Sequence, residues 1–316
     1  GAATAFLLDR GPRGFMQARS WRLLVPLLFG MLVVVPPQAY YEVMDSRIPG
    51  GYHDGYLAFW GRYLQADPGF CDDDGCLDVP TWNHLWFVAY LWTYSLVLWA
   101  ACRLLPQSWR DKAAGFLRRA CNGQGILWWP MLWLVAARVL VYPHAPSSHD
   151  LMDDAYNHLQ YGLVFALGYL LAASEGPWEQ LRRHRHRMLL LAIAAYVLML
   201  AAFLAFDDNE AIPSAWMSLI WSFWGVMQWA AIAAILGYAR HWNPKDSPVL
   251  RYLTAAVFPF YILHQTVIVV LAHNLKPLGM APALEGPLLI AATFALCLLG
   301  YEGIRRVGWL RPLFGL

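Results

Sequence analysis

Residues 182–208 read RRHRHRMLLLAIAAYVLMLAAFLAFDD. A run of Arg and His leads into nineteen uncharged, mostly apolar residues (188–206), and two aspartates close the stretch. A helix that crosses a bilayer needs roughly 20 predominantly apolar residues, and a charge-free run of 18 or more is a candidate span. Lys and Arg collect in cytoplasmic loops. This one stretch therefore carries both a membrane span and its direction.

The same pattern recurs on either side of it. Charge-free runs cover 23–41, 79–102, 155–174, 211–239 and 252–275. Two further runs are interrupted near one end: 120–137 stops at Arg138 and resumes, and 286–301 stops at Glu302. The expected fold is an all-α polytopic membrane protein with eight transmembrane helices joined by short polar loops. Composition agrees. Hydrophobic residues make up 59% and charged residues 14% of 316 residues, and mean hydropathy is +0.39. A water-soluble domain carries about 25% charged residues, so there is too little polar surface here to cover a body facing water. Disorder, a coiled coil and a nucleic-acid binder are disfavoured on the same ground. Seventeen Trp, 16 Tyr and 15 Phe suit the membrane–water interfaces, where amphipathic rings settle at headgroup level.

Loop charge sets the expected orientation. Of 23 basic residues, 19 fall in the chain's first segment, in alternate loops and at its end, among them Arg10, Arg13, Arg103, Arg119, Arg183, Arg187, Arg240, Arg251, Arg306 and Arg311. The intervening loops hold Arg47, Arg62 and Lys276, together with most of the acids, including Asp72–Asp74, Asp153, Asp154, Asp207 and Asp208. The basic side is expected to be cytoplasmic, with both ends of this chain inside. The longest acidic loop, 42–81, contains Cys71 and Cys76, whose close spacing in an oxidising compartment reads as a disulfide-closed turn. A metal clip is the rival, but no second ligand pair stands nearby, and the Asp triplet lacks the alternating ligands of a calcium loop. No metal site is expected. Cys102, Cys121 and Cys297 read as ordinary thiols. Tyr52, Tyr56, Phe59, Trp60 and Tyr63 in the same loop offer either a stacking platform for sugars or aromatic packing at the bilayer surface.

Ionisable groups at membrane depth are costly and mark candidate sites. His264, flanked by Tyr261 and Gln265 and preceded by Pro259, stands midway along 252–275. His84, with Trp86 two residues on, opens another span, where an interfacial anchor is the plain alternative. Arg138 needs a carboxylate, a carbonyl or a polar cavity unless it reaches the interface. Glu302 sits one turn before Arg305 and Arg306, which makes an ion pair its simplest explanation. His158, Gln160 and Gln228 are weaker candidates. Arg19 and Arg22 are three apart and share a helix face at the entry of the first span. Paired guanidinium groups there suit a phosphate-bearing ligand, while ordinary anchoring of a cytoplasmic loop is the alternative.

Several strings resemble the acyltransferase 3 family. They are Arg19-Ser-Trp-Arg22 running through Pro26 to Pro36-Pro37-Gln38, His84-Leu-Trp86-Phe87, Phe260-Tyr261-Ile-Leu-His264-Gln265, and Tyr301-Glu302 with the closing Arg311-Pro312-Leu-Phe314. They occur in order along the chain, and within the family the nearest likeness is to succinyltransferases of periplasmic glucans. The resemblance implies a ten-helix fold of the bacterial inner membrane and a single integral-membrane domain over 1–316. It implies transfer of an acyl group from a cytoplasmic donor, acetyl-CoA or succinyl-CoA, to an extracytoplasmic glycan, with no resident cofactor and with membrane lipid as surroundings. Arg19 and Arg22 match the family's Arg-x-x-Arg, implicated in handling the acyl-CoA; His84 and His264 become secondary candidates to polarise the carbonyl or position the sugar. Residues 1–8 then look like the tail of the family's second helix. The essential His of the first helix is expected upstream of Gly1, so the chain as given is expected to be inactive alone. The alternative class is a transporter or flippase of a glycan or lipid-linked substrate, with His264 and Arg138 lining its route.

Overall fold

The structure, a computed structural model, describes residues 12–45, 51–72, 75–172, 174–206, 212–242 and 245–316. Residues 1–8, Arg10, Arg47, Asp73, Asp74, Asp207, Asp208 and the first residue of the 211–239 run lie outside the described residues. Among the described residues eleven α-helices follow one another: α1 Pro12–Phe29, α2 Pro36–Asp45, α3 Tyr56–Leu64, α4 Trp86–Leu104, α5 Gln107–Ala120, α6 Gly125–Ala136, α7 Ala155–Leu171, α8 Glu175–Leu204, α9 Ser214–Trp242, α10 Pro248–Leu275 and α11 Pro282–Arg306. The chain is an all-α polytopic membrane protein. Six helical segments are individually long and apolar enough to cross a bilayer: Gly14–Val34, Asn83–Leu104, Glu175–Leu204, Ser214–Trp242, Pro248–Leu278 and Pro282–Arg306. Helices α5 and α6 meet the same criterion together but are bent by 101° at the turn between them. Helix α7, with 17 residues, lies at the short end of what spans.

Three boundaries differ from the charge-free runs. The 23–41 run is not one helix. Its span begins earlier, so that Arg19 and Arg22 are helical, and it breaks before the Pro36-Pro37 pair. The 120–137 run divides because Ala120 ends α5, and the span restarts at Gly125 and continues as a π turn through Val141, so that Arg138 lies inside helix. Helix α8 extends through the basic stretch back to Glu175 rather than starting at 188. Arg and Leu have comparable helix propensity, so charge marks where the hydrocarbon ends and not where the helix does.

Two compact units arise. The first comprises residues up to Phe15 with Thr93–Lys245. Its main core joins Ile126, Leu127, Met131 and Leu134 of α6, Leu167 and Leu171 of α7, Leu181, Met188 and Ala192 of α8 and Trp229, Ala230, Ala233 and Ala234 of α9. In α8 the small or slender residues Ala192, Ala195, Met199 and Ala202 turn inward, while Leu190, Ile193, Val197 and Leu200 are exposed. Small residues inside and large apolar ones outside suit a lipid solvent, where close backbone approach drives helix association. Helix α9 uses two glycines for this. A Cβ on Gly225 would lie 2.8 Å from both Cα and N of Val135 in α6, and one on Gly237 would collide with the Leu181 carbonyl of α8.

The second unit comprises Met16–Trp92 and Asp246–Leu316. Leu23 and Leu27 of α1, Leu85 of the 3-10 turn before α4, Val88 and Ala89 of α4, Ile262 of α10, Ile304 of α11 and Phe314 are part of its core. Helices α10 and α11 pack together, with the Phe260 and Phe294 rings 5.4 Å apart. The acidic loop folds onto α2: Phe59, Tyr63 and Phe70 are buried with Ala39 and Val43. Cys71 and Cys76 are joined by a disulfide that closes a two-strand hairpin. Arg62 bonds Asp67 at 2.6 Å and covers the Phe70 ring at 4.7 Å; that hydrogen bond holds the Asp67 carboxyl below the usual carboxylate range.

Candidate active site

The site grows from Pro36 and Pro37, which bring no N–H. In an unbroken helix the Leu32 and Val33 carbonyls would receive those N–H groups. Instead the chain makes a π turn over Gly30–Val34, in which the Val35 N–H donates to the Gly30 carbonyl at 2.8 Å and leaves that of Met31. The Gln38 N–H turns to Val35 at 2.8 Å and leaves the Val34 carbonyl. An unpaired carbonyl in hydrocarbon costs several kcal/mol, and side chains supply donors. Tyr63 Oη donates to Met31 O at 2.9 Å, Trp60 Nε1 to Leu32 O at 2.9 Å and Thr266 Oγ1 to Val34 O at 2.7 Å. Tyr63 and Phe59 are fully buried, and burial pushes the Tyr63 phenol above its usual range, which keeps it a donor. Of the aromatic loop residues these two are therefore spoken for by packing, not free as a sugar platform.

From Thr266 the hydrogen bonds continue inward. Gln38 Nε2 donates to Thr266 Oγ1 at 2.6 Å and to His84 Nδ1, 3.3 Å away. His84 Nε2 lies 3.1 Å from the Ile262 carbonyl and 3.2 Å from that of Tyr261. Carbonyls only accept, so the His84 proton sits on Nε2, and Nδ1 is the acceptor that Gln38 requires. Both nitrogens are consumed, which makes His84 an anchor between α2, α4 and α10. The Tyr261 hydroxyl closes the loop by donating to the His84 carbonyl.

His264 differs. Its ring stands perpendicular to that of His84 with centroids 5.4 Å apart. Nδ1 faces the carbonyls of Tyr261 at 2.8 Å and Phe260 at 3.2 Å, both on its own helix, so Nδ1 carries the proton. Nε2 is then a lone-pair nitrogen, and no hydrogen bond reaches it among the described residues. Trp86 packs edge-on against Tyr90, centroids 5.0 Å apart. Replacing Gln38 by leucine strips the donors from His84 Nδ1 and Thr266 together. The expected outcome is a cost of about 1–3 kcal/mol from the acceptors left unpaired, read as a lower thermal midpoint of the purified protein, with a larger loss in Gln38→Leu than in Thr266→Val.

The other expected site residues fall elsewhere. Arg19 is buried, at 5% exposure, whereas Arg22 on the same helix is exposed. Glu302 pairs with Arg305 at 2.8 Å and Arg306 at 3.0 Å and accepts from the Tyr252 hydroxyl at 2.6 Å. Arg138, in the first unit, meets aromatic faces rather than a carboxylate: its guanidinium carbon lies 3.8 Å from the Tyr142 centroid and 4.7 Å from that of Trp224, and Nη1 donates to the Tyr156 hydroxyl at 3.0 Å. In a dry setting such cation–π contacts are worth about 2 kcal/mol. Gln160 and Gln228 belong to a buried ladder in that unit. Asp154 accepts from Asn157 Nδ2 at 2.7 Å, Gln160 Nε2 donates to Asn157 Oδ1 at 2.6 Å and Gln228 Nε2 to Gln160 Oε1 at 2.9 Å. His158 bridges the Tyr94 hydroxyl and the Leu151 carbonyl, 3.0 and 2.9 Å away. Among the described residues no group of three or more His, Cys, Asp or Glu is arranged to hold a metal.

Sequence reasoning named Gln38 only as the end of a string and Asp154 only as a loop charge, and it passed over Thr266 and Asn157. Thr266 extends a polar triplet, His264-Gln265-Thr266, in an apolar run. Asp154, Asn157 and Gln160 recur every third residue, which puts them on one helix face. Both signals were present in the string.

The acyltransferase 3 family model, described as an acyltransferase domain, matches residues 3–302. No curated protein and no solved structure matches the chain.

Proposed function

We propose, since the chain belongs to the acyltransferase 3 family, that it moves an acyl group, acetyl or succinyl, from a cytoplasmic acyl-CoA to a hydroxyl of an extracytoplasmic glycan. In this reading eight helices cross a bacterial inner membrane as part of a ten-helix fold: the six long ones, α6 with its π turn, and α7. The basic loops and both ends of this chain face the cytoplasm. The likeness of the quoted strings to succinyltransferases of periplasmic glucans favours succinyl and a periplasmic glucan.

The observation that carries the reading is the contrast between the two histidines. His84 is locked by hydrogen bonds at both nitrogens, and it holds α10 where His264 presents an unengaged Nε2. A lone-pair nitrogen accepts and does not donate, so this tautomer cannot polarise a carbonyl. It supports the other role, that of accepting the hydrogen bond of the acceptor hydroxyl and orienting its oxygen. That oxygen attacks the thioester carbonyl and forms the new ester bond. The C–S bond breaks, the hydroxyl proton passes to the base, and the thiolate leaves and is protonated as CoA. His264 works beside the principal base that the resemblance implies. Arg19 and Arg22 take the donor's phosphates.

The test uses the full-length protein in membranes, with labelled acetyl-CoA or succinyl-CoA and a periplasmic glucan. Label should appear on the glucan, and Arg19→Ala combined with Arg22→Ala should raise KM for the donor at least about tenfold through lost charge-assisted hydrogen bonds. Unchanged donor kinetics in the double variant would remove the donor-site assignment, and absence of transfer from any acyl-CoA would remove the reading.

A further inference from the structure

The basic end of the first unit holds two cavities that the acyl-transfer reading leaves unused. One, of about 400 Å³, is lined by Gly123, Gln124, Gln180, Arg183, His184 and Arg187. The other, of about 330 Å³, has Arg118 and Arg119 among its lining residues and Ile126, Leu167, Leu171 and Pro177 as apolar wall. The same two structural features wall both. The turn between α5 and α6 gives Cys121 and Asn122 to the second cavity and Gly123 and Gln124 to the first; the start of α8 gives Gly176 and Pro177 to the second and Gln180 onward to the first.

Gln180, Arg183, His184 and Arg187 stand at i, i+3, i+4 and i+7, one face of α8. On this face Gln180 is half-buried, His184 is buried, and Arg183 and Arg187 are exposed; the close approach of Leu181 to Gly237 seats this part of α8 against α9. The neighbouring charges are compensated: Arg182 pairs with Glu179, and Arg240 with Glu175. Among the described residues Arg183 and Arg187 form no ion pair; Glu179, hydrogen-bonded to Arg182, is felt by Arg183 only as a nearby charge. Like charges one turn apart disfavour the helix, and an anion between them removes that repulsion. Guanidinium forks match phosphate oxygens two at a time. The companion cavity is mainly apolar, with Ile126, Leu167 and Leu171 forming part of the buried core.

We propose that this pair of cavities binds a phosphate-bearing amphiphile, its phosphate between Arg183 and Arg187 and its apolar part along Leu171 and Pro177. Two sources share that chemistry, the headgroup of an acidic phospholipid and the nucleotide phosphates of a coenzyme A thioester. The coenzyme source rests on the acyl-transfer reading and would move the donor's phosphates from Arg19 and Arg22 to this pair; the lipid source does neither.

The experiment reads binding without turnover. The full-length protein is placed in phosphatidylcholine nanodiscs and titrated calorimetrically with coenzyme A; separately, phosphatidylglycerol retained after purification is counted by native mass spectrometry. Arg183→Gln with Arg187→Gln is compared with Arg103→Gln with Arg110→Gln, which removes the same charge elsewhere on the basic side. Arg183→Lys with Arg187→Lys keeps the charge and loses the forks, and serves if the glutamine pair lowers the folded yield. A rise of about tenfold or more in the coenzyme A dissociation constant, confined to the 183/187 variants, assigns the site to the coenzyme. Loss of retained phosphatidylglycerol confined to them assigns it to lipid. Equal coenzyme binding and equal lipid retention in all variants overturns the proposal. Intact binding in a protein that transfers no acyl group would count against the acyl-transfer reading and leave this site standing.

Discussion

Replacing His264 by alanine is expected to lower acyl transfer about 10²-fold and to leave the folded protein's thermal midpoint near that of the parent. The expectation follows from which nitrogen is engaged. The hydrogen bonds of His264 run from Nδ1 to carbonyls of its own helix, and those carbonyls keep their helical partners when the ring is gone. Among the described residues no hydrogen bond reaches Nε2. His84→Ala is the converse case. It unties Gln38 from α4 and leaves the Ile262 and Tyr261 carbonyls without the imidazole proton, so stability falls along with activity. A His264→Ala protein that is fully active, or one that is lost only because it unfolds, would refute the positioning role. The check is initial-rate transfer assays alongside scanning calorimetry on both variants.

The second large effect lies in the other unit. Gly225→Ala puts a methyl group 2.8 Å from the backbone of Val135. Main-chain atoms cannot step aside as the end of a long side chain does, so α9 and α6 must separate along their contact. Overpacking of this kind costs about 1–3 kcal/mol, and Gly225→Leu should cost more and prevent recovery of a monodisperse protein. A control at Gly162, where a Cβ would meet nothing within 4 Å, should behave like the parent. Thermal unfolding in one detergent, with size-exclusion profiles, measures the difference. Equal midpoints for Gly225→Ala and Gly162→Ala would contradict the packing described for α9.

Much of this architecture could be read from the string because the bilayer imposes a coarse rule. A run such as 188–206 has no stable home except lipid, and the structure keeps 188–204 of it within α8. The boundaries were harder. Charge sets where hydrocarbon stops, but the helix continues through Arg182–Arg187 because nothing there opposes the backbone hydrogen bonds. The break before Pro36 was visible as a proline pair. Its π turn, and the recruitment of Tyr63, Trp60 and Thr266 to the released carbonyls, depends on residues far apart in sequence, which spacing does not report. The candidate site was legible in part for the same reason. His84 and His264 stood out as costly groups in apolar surroundings, whereas their different hydrogen-bonding states emerged only from the carbonyls of α10 around them. Arg138 illustrates the remaining gap. Its need for a partner was evident, but three aromatic faces from Tyr142, Tyr156 and Trp224 leave no signature that a search for carboxylates would meet.

The Trp60 and Tyr63 donors that dock on the Met31 and Leu32 carbonyls make the acidic loop a plug in the interrupted first helix. Grafting that loop onto a relative, or trimming it to simplify expression, would uncork two main-chain oxygens inside the bilayer. The proline pair and the two aromatic residues thus form a single heritable module, exchangeable between homologues only as a set.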